Sequence, residues 1–370
     1  MLAAHSKHLE ENRAYIIETV ANIAKSLFVS NTGTFQHPVD EYFLQEDEYK
    51  EVGGAITAFQ SKVRISECTF RDNSAELGGA LFLEQSIISI NNTTFDHNFA
   101  NPYVSNQTLV TGGVMVAYWN CVIVVKHSNF TNNSGLISDF LGGSVIVDSN
   151  ITIDGCIFQH SIGSMFIAVD SNLTDYNSVY KYSNSTTTGA VLNARSSNVI
   201  YIRCQFTYNR ASFKGGVINA YNSVITLQQC DLNHNRAMFG GVISTEGSNI
   251  CIENCTITYN TALAWSAIQA FQSNITTENT IFYKNNAGII YVTECRLFFK
   301  YITVRNNSAN NNRGLLYAGD STIQSSYQLL ITGNLGDAST VYLYKSKCNF
   351  TGRFTFSNKN FGSFLVIKNW

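Results

Sequence analysis

The chain has 370 residues, of which only 14% are charged, with a formal net charge of -2 and two prolines. That balance offers no basic field for nucleic acid and no polybasic membrane signal, and no apolar run approaches the roughly 18 residues of a membrane span. Polarity comes instead from Asn, Ser and Thr, which suits ladders of stacked neutral side chains or attached sugars rather than a charged partner.

In chain order, residues 1–50 predict a cap and a connection. The start lacks the basic segment, apolar core and cleavage site of a secretory signal. Ile16, Val20, Ile23 and Leu27 recur at helical spacing, so residues 9–28 predict an α-helix that lays one apolar stripe over the first coil of the repeat region beginning at residue 51. The acidic run "EYFLQEDEYKE" reads as a solvated loop.

From residue 51 a repeat takes over. Its marker is an Asn followed two residues later by Ala or Gly: Asn73, Asn98, Asn133, Asn209, Asn235, Asn260, Asn285 and Asn307, with Ser161 in the same place and Asn334 and Asn358 continuing the series. A glycine pair, as in Gly53-Gly54-Ala55-Ile56 or Gly215-Gly216-Val217-Ile218, opens a short apolar run. An alternating stretch comes next, such as "KVRISECTF" with Val63, Ile65, Cys68 and Phe70 on one face. Strict alternation between Gly, Asn and Ser punctuation predicts β-strands. A period near 25 residues without a helix is one coil of a parallel β-helix. The prediction is therefore an all-β, right-handed parallel β-helix of about twelve coils over 51–370, about 55–60 Å long at the strand spacing. Phe fills the core, Asn accepts left-handed backbone and bonds to the Asn one coil on, and Gly allows close approach.

Recurrent Gly-Gly-Ala-Ile and Phe-x-x-Asn resemble the chlamydial polymorphic outer-membrane protein repeat and similar surface proteins of the pectin-lyase-like β-helix group. The resemblance covers most of 51–360. It implies a secreted or surface passenger with adhesive or structural duty. The chain departs from it in lacking a transporter barrel and in degraded glycine pairs such as Trp265-Ser266 and Ser339-Thr340.

Two stretches leave the coil rhythm, 101–111 and 170–189, and predict projecting loops, where binding commonly resides. The C-terminal "FGSFLVIKNW" reads as the opening of another repeat, which suggests either a piece of a longer chain or end-to-end stacking into a homo-oligomer or filament.

Twelve Asn-x-Ser/Thr sequons, at Asn91, Asn92, Asn106, Asn129, Asn132, Asn150, Asn172, Asn184, Asn254, Asn274, Asn306 and Asn349, are candidate N-glycan sites. They are a modest excess over chance in so Asn-rich a chain. Of nine cysteines, Cys204, Cys230 and Cys255 form an inward column with Cys68 and Cys156 in the same slot. They read as core thiols, with disulfides between adjacent coils as the alternative. Cys121, Cys251, Cys295 and Cys348 fall at other slots, and no spacing suggests zinc or another cofactor. His97, His127, His160 and His234 read as unpartnered turn residues.

The sequence therefore predicts an extracellular or cell-surface structural glycoprotein, an adhesive stalk or filament subunit, with covalent N-glycans and a surface carbohydrate or protein as ligand. The alternative is an enzyme on acidic glycans. Counting six residues from each coil's first glycine aligns Asp148 with Arg195, with Asp170 close by, a set suited to acid/base work on a uronate. Exposed Tyr and Phe equally suit a non-catalytic sugar-binding groove.

Overall fold

The computed structural model describes residues 13–32, 53–75, 77–100, 111–135, 141–309, 314–336, 340–359 and 365–368. The acidic run, the loop 101–110 with Asn106, and the end at Trp370 lie outside them. The chain divides into two compact units, Met1–Val179 and Tyr180–Trp370. Each is a parallel β-solenoid in which every coil has three sides. In one coil of the first unit these are Ile56–Phe59, Lys62–Ser66 and Thr69–Arg71. Each side pairs in parallel register with its counterpart in the next coil, for example Ile56↔Leu81, Lys62↔Ile87 and Phe70↔Phe95. The second unit repeats the pattern with Leu192↔Ile218, Asn198↔Val224 and Gln205↔Asp231.

Residues 14–29 do not form the expected capping helix. They are three strands, Ala14–Ile17, Val20–Ala24 and Leu27–Val29, which pair with the coil at 56–71. Ile16, Ile23 and Phe28 face inward, whereas Val20, required by the helical stripe, is 54% exposed. The apolar spacing mimics a helix because corners interrupt the two-residue alternation. Likewise 170–189 is no projecting loop. Asn172–Tyr176 is an ordinary second side with Leu173 and Asp175 buried, and the Ser178 hydroxyl donates to Asp175 Oδ1 at 2.6 Å. A buried carboxylate in a core position disguises the coil.

Three corners separate the sides, and most carry a non-glycine residue with positive φ: Gln60, Glu67 and Asp72 in one coil, Ser196, Arg203 and Tyr208 in another. Such backbone costs about 1–2 kcal/mol per residue. Side-chain ladders one residue further on offset it. Asn31, Asn73, Asn98 and Asn133 form one, each backbone N–H and side-chain amide donating to the next Asn Oδ1 at 2.7–3.1 Å. In the second unit the same ladder runs from Asn209 through Asn235, Asn260, Asn285 and Asn307 to Asn334. The left-handed residue is thus the one before each Asn, not the Asn itself, whose amide is the reason for its presence.

The other two corners use Ser, Thr or Cys. Ser61 N–H donates to Ser86 Oγ, Ser86 N–H to Cys121 Sγ, and Cys121 N–H to Ser149 Oγ. Ser273 N–H donates to Cys295 Sγ, and Cys295 N–H to Ser321 Oγ. At the second corner Ser128 N–H donates to Cys156 Sγ and Cys230 N–H to Cys255 Sγ. Each hydroxyl or thiol then donates to a carbonyl of the chain, as Ser86 Oγ does to Glu84 O. A thiol fills this role as a hydroxyl does, so cysteines recur at these slots as free, buried groups; Cys251 and Cys348 are half-buried. Burial raises the Cys121 thiol to about 11 and Cys156 to about 12.

Glycine has one clear role. A Cβ on Gly54 or Gly216 would collide with the carbonyl oxygen of Gly79 or Gly241 one coil on, so only hydrogen fits between the backbones there.

Candidate binding surface

Of the sequence-derived catalytic set, the register places Asp148 and Asp170 on one corner of successive coils of the first unit and Arg195 on a strand of the second. Tyr118 pairs with Val147, because a register shift between Gly112 and Met115 removes one residue from the first side of the later coil. Asp148 therefore falls on the corner, at φ 46, with Asp170 at φ 48 on the same corner of the next coil. Arg195 is instead a strand residue in register with Tyr221. Both aspartates are exposed. Counting from the glycines fails because it assumes an unbroken register. Among the described residues no group of three or more His, Cys, Asp or Glu side chains is placed to hold a metal ion.

The structure points elsewhere, to the third corner of the second unit. The residue before each ladder Asn or its Ser equivalent must be left-handed and points outward. In successive coils it is Tyr182, Tyr208, His234 and Tyr259, with φ between 54 and 57. In-register stacking sets these rings face to face. Centroids are 5.4 Å apart from Tyr182 to Tyr208, 4.7 Å from Tyr208 to His234 and 4.9 Å from His234 to Tyr259, with interplanar angles of 20° or less. The tyrosines are 46%, 49% and 41% exposed, so the ladder buries faces against faces and leaves edges to solvent. His234 is not unpartnered: besides its two stacks, Nδ1 lies 3.1 Å from Asn233 Oδ1.

Cations flank the ladder. Lys284 takes the corner after Tyr259, with Nζ 5.4 Å from the Tyr259 centroid and 5.1 Å from Tyr283. Arg305 lies over the Tyr283 ring at 4.9 Å. A hydrogen bond with Lys284 holds the Tyr283 phenol below its ordinary range, and the same bond holds the Lys284 ammonium above its own. Beyond the ladder Asn, Arg210 pairs in register with Arg236. Aligning repeats on the Asn and reading one residue back would have found the rings from sequence.

The described sequons avoid the first side of every coil. Asn150, Asn172, Asn274 and Asn349 are on the second side, Asn91 at its end, Asn92 and Asn254 on the second corner, and Asn129 on the third side. Asn132 and Asn306 are on the third corner and Asn184 just past it. Nine of these eleven are exposed, Asn91 and Asn132 are half-buried, and none belongs to the buried Asn ladder. Along the third corner of the second unit Asn184 and Asn306 bracket the aromatic ladder, with no sequon between them on that corner.

These coils define the class. Residues 144–335, more than half of the chain, match the model of the right-handed beta helix region, and the chain belongs to that family. No curated protein matches the sequence. Similar solved structures include a surface adhesin of Streptococcus pneumoniae, at 11% identity and a TM-score of 0.38 over 82% of this chain and 85% of that one. A periplasmic alginate epimerase has 10% identity and a TM-score of 0.35, covering 80% of this chain and 75% of its own. An α-1,3-glucanase of Streptomyces thermodiastaticus has 11% identity and 0.31, over 88% and 65%. The likeness is one of fold. Among the described residues no helix is long and apolar enough to cross a membrane.

Proposed function

We propose that the chain is an extracellular or cell-surface glycoprotein with an adhesive or structural role, and that the aromatic ladder of the second unit is its contact surface. The observation that carries this reading is the placement of the sequons: every described one is solvent-accessible on the second or third side or their corners, away from the buried amide ladder. N-glycans attached there would leave the fold intact, and none would fall on the third corner at Tyr208, His234 or Tyr259. The ladder supports the second half of the reading. Three tyrosines and a histidine held in one exposed row contribute nothing to the core, which the inward columns already fill.

The test is site-resolved mass spectrometry of protein from its native source, with intact mass compared before and after enzymatic removal of N-glycans. The reading expects several occupied sites among the nine exposed asparagines, of which Asn172 and Asn274 have their side-chain amides donated to Asn150 and Asn249. A chain with no occupied site contradicts the displayed glycoprotein.

A further inference from the structure

We infer that the third-corner strip of the second unit binds an acidic polysaccharide laid along the coil stack, with its carboxylate or sulfate groups on Arg210 and Arg236. The inference rests on the reading of this strip as the contact surface and names what it contacts.

The charge pattern carries it. Along the strip, the last residue of the third side, the corner residue and the first residue past the ladder position supply Lys181, Arg210, Arg236, Lys284 and Arg305, and no carboxylate. In a chain with formal charge -2 that is a local excess of one sign. Arg210 and Arg236 are both exposed and directly in register on neighbouring strands. Like charges so placed repel, and neither has an ion-pair partner among the described residues. An oxyanion between them would relieve that repulsion and accept paired N–H bonds from the planar guanidinium groups.

The rings select the class of polyanion. A single-stranded nucleic acid needs free aromatic faces on which bases stack. Here the faces of Tyr208 and His234 are occupied by their neighbours, and Lys284 lies over that of Tyr259. What remains is a row of ring edges and phenol hydroxyls at one-coil spacing, which suits repeated hydroxyl groups on an extended sugar chain.

The test uses the full chain with immobilised polygalacturonate and heparin as carboxylate and sulfate probes, dextran as the neutral one, and a single-stranded oligonucleotide. Binding to at least one acidic glycan, none to dextran, and weakening as NaCl rises from about 50 mM to about 500 mM is expected. The pair Arg210→Gln with Arg236→Gln is expected to lose at least tenfold in affinity with an unchanged unfolding midpoint. Which acidic probe binds more tightly identifies the oxyanion. Equal binding of the oligonucleotide, or binding to none of the probes, overturns the inference. Dextran binding lost in Tyr208→Ala but indifferent to the arginine pair and to salt overturns the polyanion and keeps the strip. Acidic-glycan binding untouched by either set of variants overturns the strip as well.

Discussion

The two units use the same corner and the same side in opposite ways. In the first unit the aromatic stack is inside: Phe28, Phe70, Phe95, Phe130 and Phe158 lie at centroid separations of 4.5–4.8 Å on the inward face of the third side. Its outer corner residues are Ser30, Asp72, His97, Asn132 and His160, of which His97 and Asn132 are engaged by one carboxylate. Asp96 meets Arg71 Nε at 3.5 Å and His97 Nδ1 at 2.8 Å, and Asn132 Nδ2 at 3.3 Å. In the second unit the inward column after Tyr180 and Phe206 carries one further ring, Phe282, among the aliphatic Leu232, Ile257, Val304 and Ile331, so no continuous stack forms. The rings are outside, and Arg210 and Arg236 beside them have no carboxylate partner among the described residues. Packing explains the inner stack completely. It does not explain the outer one, since a corner works equally well with Asp, His or Asn, and this contrast is the physical ground for reading the outer ladder as function.

The largest effect expected is inside the first unit. Phe95→Ala removes a ring that is 0% exposed and stacked on both faces, and is expected to cost about 3–5 kcal/mol in urea unfolding. A cost below about 1 kcal/mol would break the comparison at its stronger end.

Next comes the amide ladder. Asn98→Ala leaves the Asn73 N–H and amide without their acceptor and removes the donor to Phe70 O, with an expected loss of about 2–3 kcal/mol. Asn98→Asp keeps an acceptor for Asn73 but sets a buried carboxylate against the acceptor oxygens of Phe70 and Asn133, and is expected to cost at least as much as Ala.

The corner thiols give a smaller and opposite signal. Cys295→Ser is expected to change stability by less than about 1 kcal/mol, because serine occupies the same ladder slot at 273 and 321. Cys295→Val, with no acceptor for the Ser273 N–H, is expected to cost more. Burial raises Cys121 and Cys156 above their unfolded value of 9.0, so the stability they contribute is fully present below about pH 9. It is lost as pH rises toward 11–12, where the unfolded thiols ionise first and the folded ones come after. Urea midpoints that fall between pH 8 and pH 10.5 in wild type, and fall less in Cys121→Ser with Cys156→Ser, check the sign.

The smallest stability effect is expected on the outer ladder. Tyr208→Ala is expected to stay within about 0.5 kcal/mol of wild type.

Much of the fold is legible in the sequence, and the failures have physical causes. Glycine pairs and Phe-x-x-Asn announce the coils because close backbone approach and the amide ladder each admit few residues. The first coil escapes notice although Phe28-Val29-Ser30-Asn31 is the same motif, since Ile16, Val20 and Ile23 also satisfy a helical stripe. The coil at 170–189 is hidden because Asp175 stands where the earlier coils have Ile or Val. The outer ladder has no residue type in common, and tyrosine, histidine and lysine fall into one column only when the repeats are aligned on the Asn and read one residue back. The expected acid/base set depends on that register: where one residue drops out before Ser144, Asp148 moves from the strand end to the corner.

The most direct test of the contrast is urea unfolding of the triple variant Tyr182→Ala, Tyr208→Ala, Tyr259→Ala beside Phe95→Ala. The account predicts that the triple variant unfolds within about 1 kcal/mol of wild type while Phe95→Ala loses several times that. A triple variant as destabilised as Phe95→Ala would show that the outer rings hold the fold, and the argument for a binding surface built on them would fall.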